Sequence, residues 1–544
     1  MKRILFGLTA GILLVPAFAQ ETFLQKPRIV VGIVVDQMRT DYIYRYYEKF
    51  GEDGFKRILR DGYSLSNAHY DYIPTVTGCG HASVYTGGTP STHGIIGNSW
   101  YDKDTKKMVN CVEDSARRVI GKTGAGGNVS PWRMLSTTIT DELKLATQKH
   151  ARVIGVSIKD RGAVLPGGHM ANGAYWFDGD TGNFVTSTFY MEKLPAWVSD
   201  FNLKRLPDEY LAGGWTPLLP MERYTESESD DSHYEALEDG MEKSTFPYIF
   251  QNRDYAGFTA TPFANDYVTE FAKGALIGEE LGTDNTPDFL CISYSATDIL
   301  GHRVGPNAVE LEDMYIRLDR NIADLLATLD TQVGKGNYLV FLTADHGVAE
   351  VPRYLQDNKV PAGYFRRDLK TELNEFLTRY FNRNDIVENI SNGQVFLNHD
   401  YFQYEPKVSG IDLLIATELT GNYLMTVNGI SNYYTKAEIR RGVFEEQGQK
   451  GMIIRGYNHR RSGDIAFLLE PGWFSGSEGG GTTHGSGYTY DTHVPMLFYG
   501  TGIPTGTSSK YHSITDIAPT VAIILGTKFP SGCSGQPISE MIDK

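Results

Sequence analysis

Cysteine is scarce, with 4 residues in 544. Cys79, Cys111, Cys291 and Cys533 are spaced neither as a disulfide framework nor as a zinc ribbon. Cys291 falls in an apolar run and reads as a small buried hydrophobe. Positive charge is also short: 51 Lys and Arg face 66 Asp and Glu, a net charge of −15. Such a balance argues against nucleic-acid backbone binding, and it requires an anionic ligand to be drawn in by local cations. Beyond the N-terminus no apolar run approaches the ~20 residues of a membrane-spanning helix. Repeats, low-complexity tracts and long linkers are missing as well. Hydrophobic residues at 41% and charged residues at 22% are those of an ordinary globular protein. Single cores stop growing at roughly 250–300 residues, so a large core with insertions is expected.

The N-terminus has a different character. Lys2 and Arg3 precede the apolar stretch from Ile4 to Phe18, and Ala17-Phe18-Ala19 fits a small-x-small cleavage site. This is the layout of a secretory signal peptide over residues 1–19, so an exported chain, periplasmic or secreted, is expected. No Cys follows the cleavage site, which gives no lipoprotein signal. Loss of Lys2 and Arg3 takes the net charge from −15 to −17.

Short apolar runs then alternate with amphipathic stretches, the pattern of an α/β domain with a largely parallel sheet. Ile29–Val35 is a continuous β-branched run, as a strand covered on both faces should be. Residues 153–158, 289–294, 338–343, 465–469 and 496–499 are similar. Leu311, Met314, Tyr315, Leu318, Ile322, Leu325 and Leu329 follow the 3–4 spacing of one buried helix face. Two long excursions, at about 163–280 and 350–463, read as lid or cap insertions of a single catalytic domain over residues 20–544. The first includes Tyr175-Trp176-Phe177-Asp178.

In parallel α/β sheets ligands bind beyond the carboxyl ends of the strands. Asp36 follows the first apolar run, Lys159 and Arg161 follow residues 153–158, Asp298 and His302 follow 289–294, and Asp345 and His346 follow 338–343. His484 lies in a glycine-rich loop, 479–485, ahead of the strand at 496. Each has a plain structural reading alone: Asp36 can cap a helix, Asp298 and His302 can be a cap and a surface residue, and Lys159 and Arg161 can be solvated. Together, carboxylates and imidazoles without cysteine make two oxygen/nitrogen sites suited to zinc. Asp298 and His302, four residues apart, can reach one metal from one helical turn. Thr77 opens a helix whose neighbours Gly78 and Gly80 leave room for a substrate and a metal. Its hydroxyl is the candidate nucleophile; a plain N-cap is the alternative, and Thr75 is a competitor.

These residues resemble the alkaline phosphatase superfamily, and more narrowly its PafA-type bacterial alkaline phosphatases. The similarity runs from Val34-Val35-Asp36-Gln37-Met38-Arg39 to Ile514-Thr515-Asp516-Ile517-Ala518-Pro519-Thr520. It implies an alkaline-phosphatase-like core, a central mostly parallel sheet between helices with lid or cap insertions. It implies two Zn2+ ions, one held by Asp36, Asp345, His346 and the Thr77 oxygen, the other by Asp298, His302 and His484. Ser157-Ile158-Lys159-Asp160-Arg161 and Gly97-Asn98-Ser99-Trp100-Tyr101 resemble the phosphate-binding segments of the monoesterases. Asn98, Lys159 and Arg161 are therefore expected on the non-bridging oxygens of a small-molecule phosphate monoester, a dianion whose charge two fixed cations match. The implied reaction passes through a phosphothreonine, and a monomer is expected. The rivals are a phosphodiesterase or nucleotide pyrophosphatase of the same superfamily and a non-catalytic, metal-stabilised binding protein at the cell surface. A sulfatase would carry a Cys/Ser-x-Pro-x-Arg segment, which Thr77-Gly78-Cys79-Gly80-His81 does not match.

Overall fold

The computed structural model describes residues 26–124, 126–236, 244–250, 255–365, 368–404, 410–476 and 480–542. The expected signal peptide, residues 1–19, lies outside them, as does Gly479 of the glycine-rich loop. Ile29–Val35 (β1) is buried along its whole length, as its continuous apolar run requires. It lies near the centre of an 11-stranded sheet that also contains Tyr63–His69 (β2), Val153–Ser157 (β3), Gly173–Asp178 (β4), Asn183–Ser187 (β5), Asp288–Tyr294 (β6), Tyr338–Thr343 (β7) and His493–Gly500 (β8). From β2 the order is β8, β7, β1, β6, β3, β4, β5. The central block from β7 to β4 is parallel. The strands β8 and β5 on either side of it run antiparallel.

Register decides where the chemistry falls. Val34 pairs with Thr343, Val35 with Tyr294, and Ser157 with Ser293. The carboxyl ends of β1, β3, β6 and β7 are therefore level, and the residues that follow them emerge side by side. Five helices support this edge: Thr77–Thr86 (α1), Asp160–Gly167 (α2), Pro262–Gly278 (α3), Ala296–Val304 (α4) and Val309–Leu329 (α5). Leu311, Met314, Leu318, Ile322, Leu325 and Leu329 of α5 are all buried, as their spacing anticipates.

The two long excursions differ. Much of 163–280 belongs to the core: Tyr175, Trp176 and Phe177 lie on β4, inside the central sheet. Tyr175 packs against Trp197 and Phe271, the latter on α3. The expected lid there is corrected for a simple reason: its aromatic richness serves burial. Residues within 350–463 instead contribute to a separate four-stranded antiparallel sheet of Val387–Ser391, Gln394–Leu397, Ile430–Thr435 and Ile465–Leu469. Ile465–Leu469 thus forms a strand, but in this cap and not in the central sheet. The cap has its own apolar cluster, including Leu373, Leu377, Val395 and Ile465.

Candidate active site

The level strand ends bring most of the expected residues together. Ligand atoms of Asp298, His302 and His484 lie within 4.8 Å of one another, and so do those of Asp36, Asp298 and His346. The grouping differs slightly from expectation, since the Asp298 carboxylate belongs to both sets. Asp345 joins through its Oδ2, 3.6 Å from His346 Nε2. Asp36 Oδ1 lies 3.4 Å from the same nitrogen.

Each imidazole is held by a backbone carbonyl. His302 Nδ1 is 2.8 Å from the oxygen of Thr482, His484 Nδ1 2.8 Å from that of Thr75, and His346 Nδ1 2.9 Å from that of Gly347. With Nδ1 committed to donation, each Nε2 is free to ligate. His302 and His484 Nε2 both face Asp298 Oδ1, at 3.2 and 3.6 Å.

Burial leaves several of these atoms without partners and shifts their ionisation. Asp36, Asp345 and His346 are completely buried. Asp36 Oδ1, Asp345 Oδ2 and His346 Nε2 have no hydrogen-bond partner. Buried polar atoms without partners cost free energy, and three converging in one place fit a cation. The mixed carboxylate and imidazole donors, with no thiolate, fit zinc. Burial, then the charges of Asp298 and Asp345, push the Asp36 carboxyl well above the usual range. Burial opposes ionisation of Asp298 too, yet Lys159 and His302 hold it well below that range. Burial and the neighbouring His346 push the His484 imidazole well down, leaving it neutral.

Thr77 is the first residue of α1, and its N-cap is Val76, which makes no side-chain cap. The helix-cap alternative for Thr77 is thereby set aside. Its hydroxyl, on a residue only 1% exposed, stands at the positive end of a ten-residue helix. Thr75 is occupied, its hydroxyl donating to the Ser486 carbonyl at 2.8 Å. Gly80 does not hold space for a ligand as expected, because a Cβ there would meet Asp345 atoms, the backbone oxygen nearest of all. The glycine lets the first turn of α1 press directly on the Asp345–His346 strand end.

Asn98 accepts the Gly78 N–H with its Oδ1 at 2.7 Å, which caps α1 from a distant loop. Lys159 and Arg161 stand at the start of α2. The Lys159 ammonium lies between two carboxylates, 2.6 Å from Asp36 and 2.5 Å from Asp298. Burial lowers its pKa, but Asp298 and Asp36 outweigh burial and raise it. Arg161 is four-fifths buried at its side chain, and its Nε has no partner.

Two contributors were not anticipated. Gln37 donates its backbone N–H to Asp345 Oδ1 at 3.1 Å and its side-chain amide to Asp298 Oδ1 at 2.6 Å. It does so from a left-handed φ of 65°, a strained conformation for this residue. Its side chain fills the notch left by Gly301 on α4. His81 lies 2.9 Å from the Thr77 carbonyl and 3.3 Å from Asp345 Oδ2 through Nδ1, and 2.9 Å from Ser293 Oγ through Nε2. Position gave the available signals: Gln37 directly follows Asp36, and His81 stands one helical turn beyond Thr77.

A cavity of about 270 Å³ opens beside His484, between Val76 on the core and Phe467, Trp473 and Phe474 on the cap side.

A family model described as type I phosphodiesterase / nucleotide pyrophosphatase matches residues 30–493. The chain is 44% identical over 546 residues to a protein named alkaline phosphatase PafA from Elizabethkingia meningoseptica, spanning 98% of each chain. It is also 44% identical over 529 residues, 96% of each chain, to a Myroides odoratus protein named calcium-transporting ATPase. The crystal structure of wild-type alkaline phosphatase PafA aligns with a TM-score of 0.91, at 44% identity, over 95% of this chain and 99% of that chain.

Proposed function

The chain belongs to the type I phosphodiesterase / nucleotide pyrophosphatase family, and from that premise we propose that it is an exported alkaline phosphatase acting on phosphate monoesters. The observation that carries the reading is the convergence of unpartnered, buried Asp36, Asp345 and His346 atoms with Asp298, His302 and His484, and with the Lys159 ammonium between Asp36 and Asp298. Asp36, Asp345, His346 and the Thr77 oxygen would hold one zinc, and Asp298, His302 and His484 the other. Bound there, paired zinc ions supply Lewis-acid stabilisation of the attacking and leaving oxygens and lower the pKa of water.

The chain's own residues do the rest. The Thr77 hydroxyl, set at the α1 N-terminus, attacks phosphorus in line. Its oxygen–phosphorus bond forms as its proton is lost to solvent and the bond to the leaving oxygen breaks, that oxygen taking a proton from solvent to depart as the alcohol and leaving a phosphothreonine. Water then cleaves that ester, returning the threonine and releasing inorganic phosphate. Asn98, its Oδ1 committed to Gly78, presents its NH2 to the phosphoryl oxygens. Lys159 and Arg161 supply fixed positive charge against the dianion through charge-assisted hydrogen bonds. Gln37 holds the Asp345 and Asp298 carboxylates in register, and His81 ties the first turn of α1 to Ser293.

Among the described residues no helix is long and apolar enough to cross a membrane. The competing phosphodiesterase reading has the support of the family description. A diester offers one negative charge fewer to Lys159 and Arg161. Purified protein, with its metal content measured, is assayed on monoesters, diesters and sulfate esters. Monoester turnover exceeding the other two, lost on chelation and restored by zinc, is expected. Faster diester turnover would overturn the reading.

A further inference from the structure

We propose that the cleft beside His484 is a binding subsite for the leaving group of the monoester, and that it takes a flat, apolar ring such as an aryl group. The inference rests on the monoesterase reading and adds the class of alcohol. Position comes first. The cleft meets the site at His484, in the proposed ligand set that does not include the Thr77 oxygen, and at Val76, next to Thr77. In an in-line displacement the leaving oxygen lies opposite the Thr77 oxygen, toward the Asp298, His302 and His484 set, and His484 lines the cleft.

Size and chemistry follow. An apolar cavity of ~150 Å³ accommodates benzene, and this one offers about 270 Å³. Ile73, Pro74 and Val76 line one side, and Phe467, Trp473 and Phe474 the other. Ile73, Val76, Trp473 and Phe474 are only half-buried, so a planar ring placed among them would bury apolar surface on both partners. Among the described residues no Lys or Arg lines the cleft. A leaving group bearing a further phosphate would find no cation there.

The walls are fixed in advance. Trp473 lies so close to Gly363 and Gly429 that a Cβ on either would collide with its indole. The loop forming the cleft's other rim is gathered by Asp491, whose Oδ2 accepts from Ser486 N at 2.8 Å, Ser486 Oγ at 2.6 Å and Gly485 N at 3.1 Å. A preformed pocket pays little ordering entropy when its ligand enters.

The test uses metal-loaded protein and two monoesters, 1-naphthyl phosphate and glycerol 3-phosphate. Each variant is compared with the unmodified protein, which cancels the intrinsic reactivity of the two esters. Trp473→Ala should lower kcat/KM for the naphthyl ester about tenfold more than for the glycerol ester, the scale of one lost aromatic contact. Because the Trp473 ring also packs on the two glycines, Phe474→Ala serves as a second variant with the same expected direction. Binding of 1-naphthol, followed by its fluorescence, should weaken in parallel. Equal losses on both esters in both variants would overturn the subsite, as would unchanged naphthol binding. Failure of the unmodified protein to hydrolyse either ester would sink the monoesterase reading alone, since naphthol binding still tests the cleft.

Discussion

At the carboxyl ends of β1, β6 and β7 a floor of carboxylates and imidazoles is gathered, with Asp36, Asp345 and His346 fully buried, and it meets the cleft at His484. Across the opening, Phe467 of the cap sheet meets the cleft, together with Trp473 and Phe474 of a short parallel ladder with Gly363 and Tyr364. The floor is built on parallel strands whose register leaves little freedom, and its polar atoms are held by backbone carbonyls and by Gln37. The cap is an antiparallel sheet with a separate apolar cluster. The two regions therefore carry different burdens. The floor needs fixed positions for charge, because electrostatic stabilisation is lost when donors shift. The cap needs only shape and apolar surface, and changes there should alter which alcohol is accepted more than whether phosphorus is attacked.

The strongest way to break this division is at the nucleophile. Thr77→Ala should lower monoester hydrolysis by up to about 10⁶-fold, the scale seen when a nucleophile is removed, while metal content measured on the purified protein stays unchanged. Retained activity would move the nucleophile to Thr75 or to water. Next comes charge matching: Arg161→Ala should cost monoester hydrolysis ~10²-fold, the effect of one lost transition-state donor, and diester hydrolysis much less. Equal losses would remove its role in recognising a dianion.

Gln37 sharpens the floor itself. Gln37→Ala removes the amide that holds Asp298 but keeps the backbone N–H to Asp345. Metal affinity should fall by about 10–100-fold, as for other residues that orient a ligand, and Gln37→Asn should recover it incompletely because the shorter side chain falls short of Asp298. Unchanged metal titrations would show that the left-handed conformation at Gln37 serves only the fold. The smallest catalytic effect is expected from the cap core. Leu373 is completely buried there, so Leu373→Ala should destabilise the cap by about 2–5 kcal/mol. Turnover of a small monoester such as glycerol 3-phosphate should change little below the unfolding temperature. A large loss of turnover with an intact fold would mean that floor and cap are not separable.

The parallel strands were legible because burial on both faces leaves an unbroken apolar run, and Ile29–Val35 and Tyr338–Thr343 show it plainly. The strand at Ile465–Leu469 was equally legible, but its membership in the cap sheet was not, since pairing partners leave no mark on a single run. Tyr175-Trp176-Phe177 misled for the opposite reason. Aromatics serve a buried strand as well as a lid, and composition does not separate the two. Gly80 was read as space for a ligand, when the space is filled by Asp345.

By itself, then, the sequence determined the types of residue at each strand end, and with them the oxygen and nitrogen donors of the proposed metal site. Only the tertiary structure decided how those donors group. Asp298 is shared between both sets, Gln37 ties two carboxylates together, and Lys159 bridges Asp36 and Asp298. The physical reason is that donor type is a property of one residue. Grouping depends on register between strands as much as 309 residues apart in the chain, Ile29 and Tyr338 among them, and no local pattern records it.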